Sequence, residues 1–264
     1  MIYLIGGNGF VGSAFARLFE AQGLEYQIIT RDNAESFKGT KCDLLINANG
    51  NSKKFMATRD PLWEFDASVV SVARSLDWFE AERYVLLSTG DVYPQTHDPK
   101  FSDEEQVLDV AKMSRYGLHK FLAEQLVRGV HKNHLVFRMG GFVGPNLQKN
   151  AIFDMLTGGP LWLSLDSKLQ FIHTDDAAKI VYTLASNPSI CNQTINLGAR
   201  GMASLREAYD HAGSSSEVKE DAQNVTYELS LEKLERLYGL SLPDSAETIR
   251  AFVLDNKGKL KQGS

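Results

Sequence analysis

The amino-acid sequence predicts an α/β fold, in which helices cover both faces of a doubly wound parallel sheet. Short apolar segments alternate along the chain with longer segments of helical periodicity, the pattern of repeated strand-helix-strand units. Hydrophobic residues make up 43% of the 264 residues and charged residues 23%, so the chain has enough apolar surface for a large core. A small C-terminal lobe is expected to complete the fold.

Six apolar segments are predicted to be the strands of the sheet. They are Ile2 to Ile5, Gln27 to Thr30, Leu44 to Ala48, Tyr84 to Ser88, Leu135 to Arg138 and Thr194 to Leu197. Only twelve residues separate Thr30 from Asp43, which is close to the minimum for one crossover between parallel strands. We therefore expect the sheet to be one strand shorter on that side than a full doubly wound sheet.

Four segments with apolar residues at helical spacing are predicted to be helices. They are Phe10 to Gln22, Leu62 to Ala81, Asp109 to His131 and Thr174 to Ser186. After Gly144 the pattern becomes irregular, and helical spacing returns in the tail from Leu231 to Tyr238. We expect one domain of residues 1–145, to which residues 171–198 return, and a small lobe of residues 146–170 and 199–264.

A glycine-rich turn connects the first predicted strand to the first predicted helix. Gly6, Gly9 and Gly12 are three residues apart, as required for a tight turn, a close approach of pyrophosphate to the backbone, and close packing of helix on strand. The free N–H groups and the positive end of the helix then face the phosphates. We expect these glycines, with Phe10 and Val11, to bind a dinucleotide cofactor.

The end of the second strand bears on the choice between NAD and NADP. An acidic residue there accepts hydrogen bonds from the adenosine ribose, whereas a cation accommodates the 2′-phosphate of NADP. Thr30 takes the position of the acid, and Arg31 follows it with a guanidinium suited to phosphate. NADP is therefore preferred; in the alternative, Arg31 is a solvated loop residue and Asp32 serves NAD.

Candidate catalytic residues follow from spacing and from strand ends. Tyr116 and Lys120 are four residues apart in a predicted helix, so both project from one face. Ser88 and Thr89 stand where a predicted strand ends, and in parallel sheets ligands bind outside the carboxyl ends of the strands. The sequence therefore predicts a hydroxyl, a phenol and an ammonium around one cofactor.

In their order along the chain, these motifs resemble those of the extended short-chain dehydrogenase/reductase family, the NAD(P)-dependent nucleotide-sugar epimerases, dehydratases and reductases. The matching segments are Gly6 to Gly12, Asp43 to Ala48, Ser88 to Pro94, Tyr116 with Lys120, Arg138 followed by Gly144-Pro145, Phe171 to Ala178 and Ile195 to Gly198. Each is common alone, but the ordered set is specific. The resemblance implies a Rossmann-like doubly wound sheet with a small C-terminal substrate-binding lobe.

The resemblance also implies roles for single residues. Tyr116 is expected to exchange a proton with a sugar hydroxyl or ketone while hydride moves to or from nicotinamide, and Thr89, with Ser88 beside it, to hydrogen-bond the reacting oxygen. Lys120 is expected to hold the nicotinamide ribose and to lower the Tyr116 pKa. One cation at about 4 Å supplies roughly 4 kcal/mol at an effective dielectric near 20, enough to bring a phenol from about 10 to about 7.

Several further contacts are expected from position. Asn47, Ala48 and Asn49, at the end of the third strand, are expected to contact the cofactor. Substrate-binding candidates are Ser52 and Lys53, which lie with Asn51 and Lys54 after that strand, Arg138 at a strand end, and Asn150 in the stretch that lines the nucleotide-sugar pocket in relatives.

Gly90 and Asp91 occupy the positions of two acidic residues in the 4,6-dehydratases of the family. Asp91 is either a base that removes a proton beside a transient ketone or the cap of a local turn.

Composition excludes other classes of protein. The formal net charge of −5, without a basic block, argues against nucleic acid as a partner. The chain lacks the pattern of a secretory signal or a membrane span, and Cys42 and Cys191 form no paired pattern, so we expect a cytoplasmic protein. His173, Asp175 and Asp176 have the spacing of a helix start, so no metal is expected.

The sequence therefore predicts an NAD(P)-dependent oxidoreductase or isomerase acting on a nucleotide-linked sugar, and Gly90 and Arg31 favour a 4-keto-sugar reductase. One alternative is an epimerase or dehydratase that recycles its cofactor in place. Another is an NAD(P)-binding sensor without catalysis. The family also leads us to expect a homodimer formed through Leu62 to Ala81 and Asp109 to His131.

Overall fold

The computed structural model describes residues 1–50 and 54–260. Its central sheet has six parallel strands, β1 (Ile2–Ile5), β2 (Tyr26–Ile29), β3 (Lys41–Asn47), β4 (Glu80–Thr89), β5 (His134–Met139) and β10 (Gln193–Leu197). Their order across the sheet is β10-β5-β4-β3-β1-β2. All six predicted strands are confirmed. Because β2 is an edge strand, the expectation of a sheet shortened on that side is confirmed as well.

Helices connect the strands of this sheet. They are α1 (Gly12–Gln22), α2 (Met56–Arg59), α3 (Pro61–Phe65), α4 (Ser71–Trp78), α5 (Arg115–Val130) and α7 (Thr174–Ala185), with a π-helical turn over Asp66–Val70 between α3 and α4. The helix predicted to end at Ala81 ends at Trp78, because β4 is ten residues long and begins at Glu80. The helix predicted to begin at Asp109 begins at Arg115, where the Ser114 hydroxyl accepts a hydrogen bond from the Gly117 N–H.

Both faces of the sheet are buried, as the near-continuous apolar strands require. On one face, Leu4, Val85 and Phe137 pack in a cluster with Phe15 of α1 and Val181 of α7. The residues that alternate with them point to the other face, where Tyr84, Leu86 and Val136 pack with α4 and α5. The fold is therefore the predicted doubly wound, Rossmann-like α/β fold.

The remaining elements lie beyond the carboxyl ends of the central strands or in the tail. They are β6 (Gly141–Val143), α6 (Ala151–Thr157), β7 (Leu161–Leu163), β8 (Lys168–Leu169), β9 (Phe171–His173), β11 (Ala203–Ser204), α8 (Leu205–Ala212), β12 (Val218–Gln223), β13 (Thr226–Tyr227), α9 (Glu232–Tyr238) and α10 (Ser245–Asn256). A separate apolar cluster joins α6, α8 and α10. By contrast, Leu231 and Leu234 of the tail pack in the cluster between the central sheet, α1 and α7. The tail therefore contributes to both apolar clusters.

No helix within the described part of the chain is long and apolar enough to span a bilayer.

Candidate active site

The glycine turn brings backbone close to backbone at the carboxyl end of β1. Gly6 has a φ of +79°, and a Cβ on it would lie 2.9 Å from the Asn49 nitrogen. A Cβ on Gly12 would lie 2.1 Å from the Gly6 oxygen, so only glycine allows α1 to start this close to the strand. Phe10 and Val11, both half-buried, complete the turn before α1. The cradle left by absent side chains fits a pyrophosphate held by backbone N–H groups.

Arg31 is exposed just beyond the end of β2, and its guanidinium has no partner within the described residues. Asp32 is exposed beside it. Thr30 is half-buried, and its N–H donates to the Asn33 side chain at 2.8 Å. The geometry therefore leaves a cation and an acid both available at this strand end.

The end of β3 connects the glycine turn to the candidate catalytic helix. Ala48 donates its N–H to the Ile5 carbonyl at 2.9 Å, beside the first glycine of the turn. On the other side, a Cβ at Gly50 would lie 3.4 Å from Lys120 Nζ. The predicted cofactor turn and the predicted lysine therefore meet at the same edge of the sheet.

The Asn47 side chain does not face this crevice. It is 1% exposed, and its Nδ2 donates to the Tyr84 hydroxyl at 2.8 Å. Its Oδ1 accepts a hydrogen bond from the Asn49 N–H at 3.0 Å, so the side chain shapes the backbone after β3. The Asn47 side chain is therefore not available to a cofactor, and a contact through the Asn47 backbone stays a prediction.

Two further expectations are corrected at the ends of β4 and β5. The Ser88 hydroxyl donates to Glu124 at 2.5 Å and is buried, so it is not available to a reacting oxygen. Arg138 is 1% exposed, and its guanidinium binds both carboxylate oxygens of Glu124 and the Tyr93 hydroxyl. Its charge therefore compensates a buried carboxylate and does not face substrate.

Thr89 and Asp91 lie where β4 ends, and both are partly exposed. The Thr89 hydroxyl donates to Asp91 Oδ2 at 3.0 Å and accepts the Asp91 N–H at 3.2 Å. Lys54, from the segment after β3, lies 2.5 Å from the same Asp91 oxygen. Thr89 therefore caps the turn after β4, and Asp91 presents its carboxylate beside it. Of the two alternatives left open by the sequence, the cap is wrong for Asp91, and its role as a base stays a prediction.

Tyr116 and Lys120 project from the same face of α5, as predicted. The Tyr116 hydroxyl has no hydrogen-bond partner among residues 1–50 and 54–260, whereas Lys120 is 3% exposed and donates to the Leu87 carbonyl at 3.3 Å. Burial raises the pKa of the Tyr116 phenol above its ordinary value, and Asp91 and Glu64 raise it further. The expected lowering of the Tyr116 pKa by Lys120 is therefore wrong for this structure.

The electrostatics of Lys120 explain that difference. Burial lowers the pKa of the Lys120 ammonium, and the carboxylates Glu124 and Glu64 oppose the shift. Its positive charge is thus offset by two buried carboxylates that the sequence pattern did not reveal. The phenol accordingly remains protonated near neutral pH.

The other predicted substrate contacts are less direct. Asn150 is half-buried and caps α6, accepting the Phe153 N–H at 2.9 Å and donating to the Phe142 carbonyl at 2.9 Å. Both ends of its amide are engaged by backbone, which corrects the expectation of a free substrate contact. Ser52 and Lys53 lie outside the described residues.

Sequence reasoning missed three groups around this site, the buried Glu124 and Glu64 and the half-buried Tyr227. Glu124 is one turn after Lys120 on α5, a spacing that could have suggested it. Glu64 contacts the His119 ring beside Lys120, and both residues are buried. The Tyr227 hydroxyl of the tail lies 2.2 Å from where a Cβ on Gly90 would stand, so a larger residue 90 would have to displace Tyr227. No local signal connects Gly90 with a residue so distant in sequence.

His173 and Asp175 are engaged at the start of α7. The His173 ring accepts the Asp175 N–H at 3.2 Å, and the Asp175 carboxylate pairs with Arg17 of α1.

The glycine turn, the strand order and the Tyr116–Lys120 pair on α5 are features of a Rossmann-like α/β fold, and comparisons with known proteins agree. A family model described as the NAD dependent epimerase/dehydratase family matches residues 2–198. The chain belongs to the NAD-dependent epimerase/dehydratase family, which confirms the resemblance drawn from its motifs. No curated protein sequence matches the chain.

Solved structures of several activities share this fold. The chain is similar to a dTDP-4-dehydrorhamnose reductase from Bacillus anthracis in complex with NADP, with 16% identity, 96% of this chain and 97% of that chain covered, and a TM-score of 0.77. It is similar to a UDP-glucose 4-epimerase from Thermus thermophilus in complex with NAD, with 18% identity, 98% and 99% coverage and a TM-score of 0.73.

It is also similar to a dTDP-glucose 4,6-dehydratase from Bacillus anthracis in complex with NAD, with 17% identity, 96% of this chain and 94% of that chain covered, and a TM-score of 0.71. At these identities the likeness concerns the fold, and a reductase, an epimerase and a dehydratase share it alike.

Proposed function

We propose that this protein is an NADP-preferring oxidoreductase that reduces a keto group of a nucleotide-linked sugar. The observation that carries the proposal is the meeting of two features at one sheet edge. Gly6 packs on the backbone at Asn49, and Lys120, one helical turn from Tyr116, approaches the next residue, Gly50. A phenol and a dinucleotide cradle are thus neighbours, as hydride and proton transfer to one carbonyl require.

The residues divide the work of binding. The backbone of the Gly6 to Gly12 turn and the start of α1 would hold the pyrophosphate, and Arg31 would hold a 2′-phosphate. The backbone of Ala48 and Asn49 would line the same cofactor, and Lys120 would donate to its nicotinamide ribose. When bound, the nicotinamide supplies hydride to the carbonyl carbon.

The protein supplies the proton. Tyr116 would donate its phenolic hydrogen to the carbonyl oxygen as hydride reaches the carbon, which converts the ketone to an alcohol and the reduced cofactor to its oxidised form. Thr89 would hydrogen-bond the same oxygen. Because burial raises the pKa of Tyr116, the phenol is protonated at neutral pH, which is the form that a proton donor needs.

Asp91 favours a second candidate function, an epimerase or dehydratase with in-place cofactor recycling. Its carboxylate lies at the crevice beside Thr89, where a base would remove a proton next to a transient ketone. Against a dehydratase, Gly90 stands where the first of the two acids would be, and a side chain there would have to displace Tyr227.

Cofactor consumption separates these functions. Purified protein is first titrated with NAD, NADP and nucleotide sugars in a thermal-shift assay, because ligands that bind the folded state raise its apparent stability. Bound nucleotide 4-keto sugars are then incubated with NADPH. A reductase consumes NADPH in a one-to-one ratio with ketone, whereas conversion without net absorbance change indicates an epimerase. Cofactor binding without any conversion would contradict both and favour a sensor.

The organisation of the chain supports the same division of labour. We assign residues 1–145 with 171–198 to the cofactor domain and residues 146–170 and 199–264 to a substrate lobe, a division supported by the separate apolar cluster of α6, α8 and α10. We also propose a cytoplasmic homodimer formed through the outer faces of the α3–α4 region and α5, where Leu62 and Leu122 are exposed.

A further inference from the structure

The Asp91 carboxylate binds two partners of different character. Its Oδ2 atom lies 2.5 Å from Lys54 Nζ and accepts the Thr89 hydroxyl at 3.0 Å. The Lys54 side chain is 62% exposed and that of Asp91 20%, so the lysine is the outer member of the pair. The carboxylate therefore lies between a solvated cation and the threonine proposed to act on substrate.

This arrangement occupies the only hydrogen of the Thr89 hydroxyl. A threonine hydroxyl has one donor and two acceptor positions. Its donor goes to Asp91 Oδ2, and one acceptor position takes the Asp91 N–H at 3.2 Å. Thr89 can donate to a ketone oxygen only when it gives up its hydrogen bond to the Asp91 carboxylate, and movement of the carboxylate away from Thr89 favours that loss.

The ion pair that holds the carboxylate in place is one that exchanges readily. Exposed lysine-carboxylate pairs contribute little, because water screens them and the lysine side chain loses freedom. A diphosphate carries more negative charge than a carboxylate and offers more acceptor oxygens. Lys54 reaches Asp91 at the carboxyl end of β4, and only β3 separates β4 from β1, which the glycine turn follows. A diphosphate bound at this edge of the sheet is therefore expected near Lys54.

We propose that Lys54 binds the diphosphate of an incoming nucleotide ligand and, by leaving Asp91, allows Asp91 to release the Thr89 hydroxyl. The proposal rests on the proposed function and adds a positioning residue to it. Recognition of the nucleotide end of a ligand would in this way prepare the hydroxyl that acts at the sugar end. The diphosphate belongs either to a sugar nucleotide or to the dinucleotide cofactor, which offer the same chemistry.

Three variants test the exchange by binding alone. Lys54→Gln, Asp91→Asn and the double variant are titrated calorimetrically with UDP, with dTDP and with NADP. Lys54→Gln should weaken binding by roughly fivefold, because one phosphate contact is lost. Asp91→Asn should strengthen binding by a few-fold, because the lysine is no longer held by a competing carboxylate. Asn keeps a side-chain acceptor for Thr89, so the turn is preserved.

The double variant distinguishes exchange from simple repulsion between Asp91 and the anion. If Asp91 acts through Lys54, Asp91→Asn has no effect once residue 54 is glutamine. Repulsion between Asp91 and the anion would give the same gain in affinity from Asp91→Asn whether residue 54 is lysine or glutamine. Lys132→Gln and Asp77→Asn are matched controls that leave affinity unchanged, because both residues are exposed next to the amino ends of β5 and β4, at the opposite edge of the sheet.

The outcomes are distinct. Weaker binding of UDP or dTDP by Lys54→Gln, together with stronger binding by Asp91→Asn, assigns Lys54 to the substrate diphosphate. If this pair of opposite changes is found with NADP only, Lys54 is assigned to the cofactor. Changes of the same sign, or a gain that survives in the double variant, overturn the exchange while the proposed function stands. If none of the three ligands binds the unmodified protein, the proposed function itself fails.

Discussion

The glycine turn and the polar cluster at the end of β4 are neighbours but are built in different ways. The polar cluster consists of Ser88, Thr89, Asp91, Glu124 and Arg138. The turn lies within the first twelve residues, and its shape comes from backbone atoms that approach where side chains are absent. The polar cluster uses side chains from β4, α5 and β5, and its charges are set by partners distant in sequence. A backbone site follows from local spacing, whereas a side-chain site depends on the whole fold.

The largest loss of stability is expected when one buried partner is removed from the polar cluster. Glu124→Gln leaves Arg138 buried without a full counter-charge, and breaking a buried pair costs about 3–5 kcal/mol. Urea unfolding should show that loss in the free energy of unfolding.

Glu80→Gln is the control, because it removes an exposed pair with Lys41 and should leave the unfolding midpoint nearly unchanged. A similar response of both variants would mean that burial does not distinguish the two pairs.

An added side chain should destabilise the glycine turn, whereas the loss of a charge should destabilise the polar cluster. Gly12→Ala places a Cβ 2.1 Å from the Gly6 oxygen, and such overpacking costs about 1–3 kcal/mol. Thermal unfolding and NADP titration should both report the loss, since the same displacement opens the phosphate cradle.

Gly129→Ala is the matched control, because residue 129 is exposed on α5 and a Cβ there meets no atom within 4 Å. It should stabilise the protein by up to about 1 kcal/mol. Equal effects at both positions would refute the steric account of the turn.

The same contrast explains how much was predictable from the sequence. The six strands and the glycine turn follow from local periodicity and spacing, and the structure confirms them. The surroundings of Ser88 and Arg138 were predicted wrongly, because both bind Glu124, which no strand-end rule identifies. The Tyr116 pKa was misjudged for a related reason: burial and nearby carboxylates outweigh the one cation counted from the sequence.

The smallest expected effect concerns cofactor choice at the end of β2. Arg31→Gln should reduce the ratio of NADP to NAD affinity by roughly fivefold, since an exposed guanidinium-phosphate contact contributes about 1 kcal/mol. Asp32→Asn, beside it, should leave that ratio unchanged or raise it, because no acid then remains to favour NAD. Dissociation constants for both cofactors provide the measurement, and an unchanged ratio in Arg31→Gln would remove the argument for NADP.

Proton donation by Tyr116 beside the bound cofactor is tested most directly by Tyr116→Phe, with NADP affinity and turnover of a keto-sugar nucleotide measured on the same preparation. We expect the dissociation constant to change by less than about twofold and turnover to fall by about 10²–10⁴, the usual contribution of a general acid. Tyr182→Phe, on α7 away from the crevice, should keep both values. Full turnover in Tyr116→Phe would contradict the account.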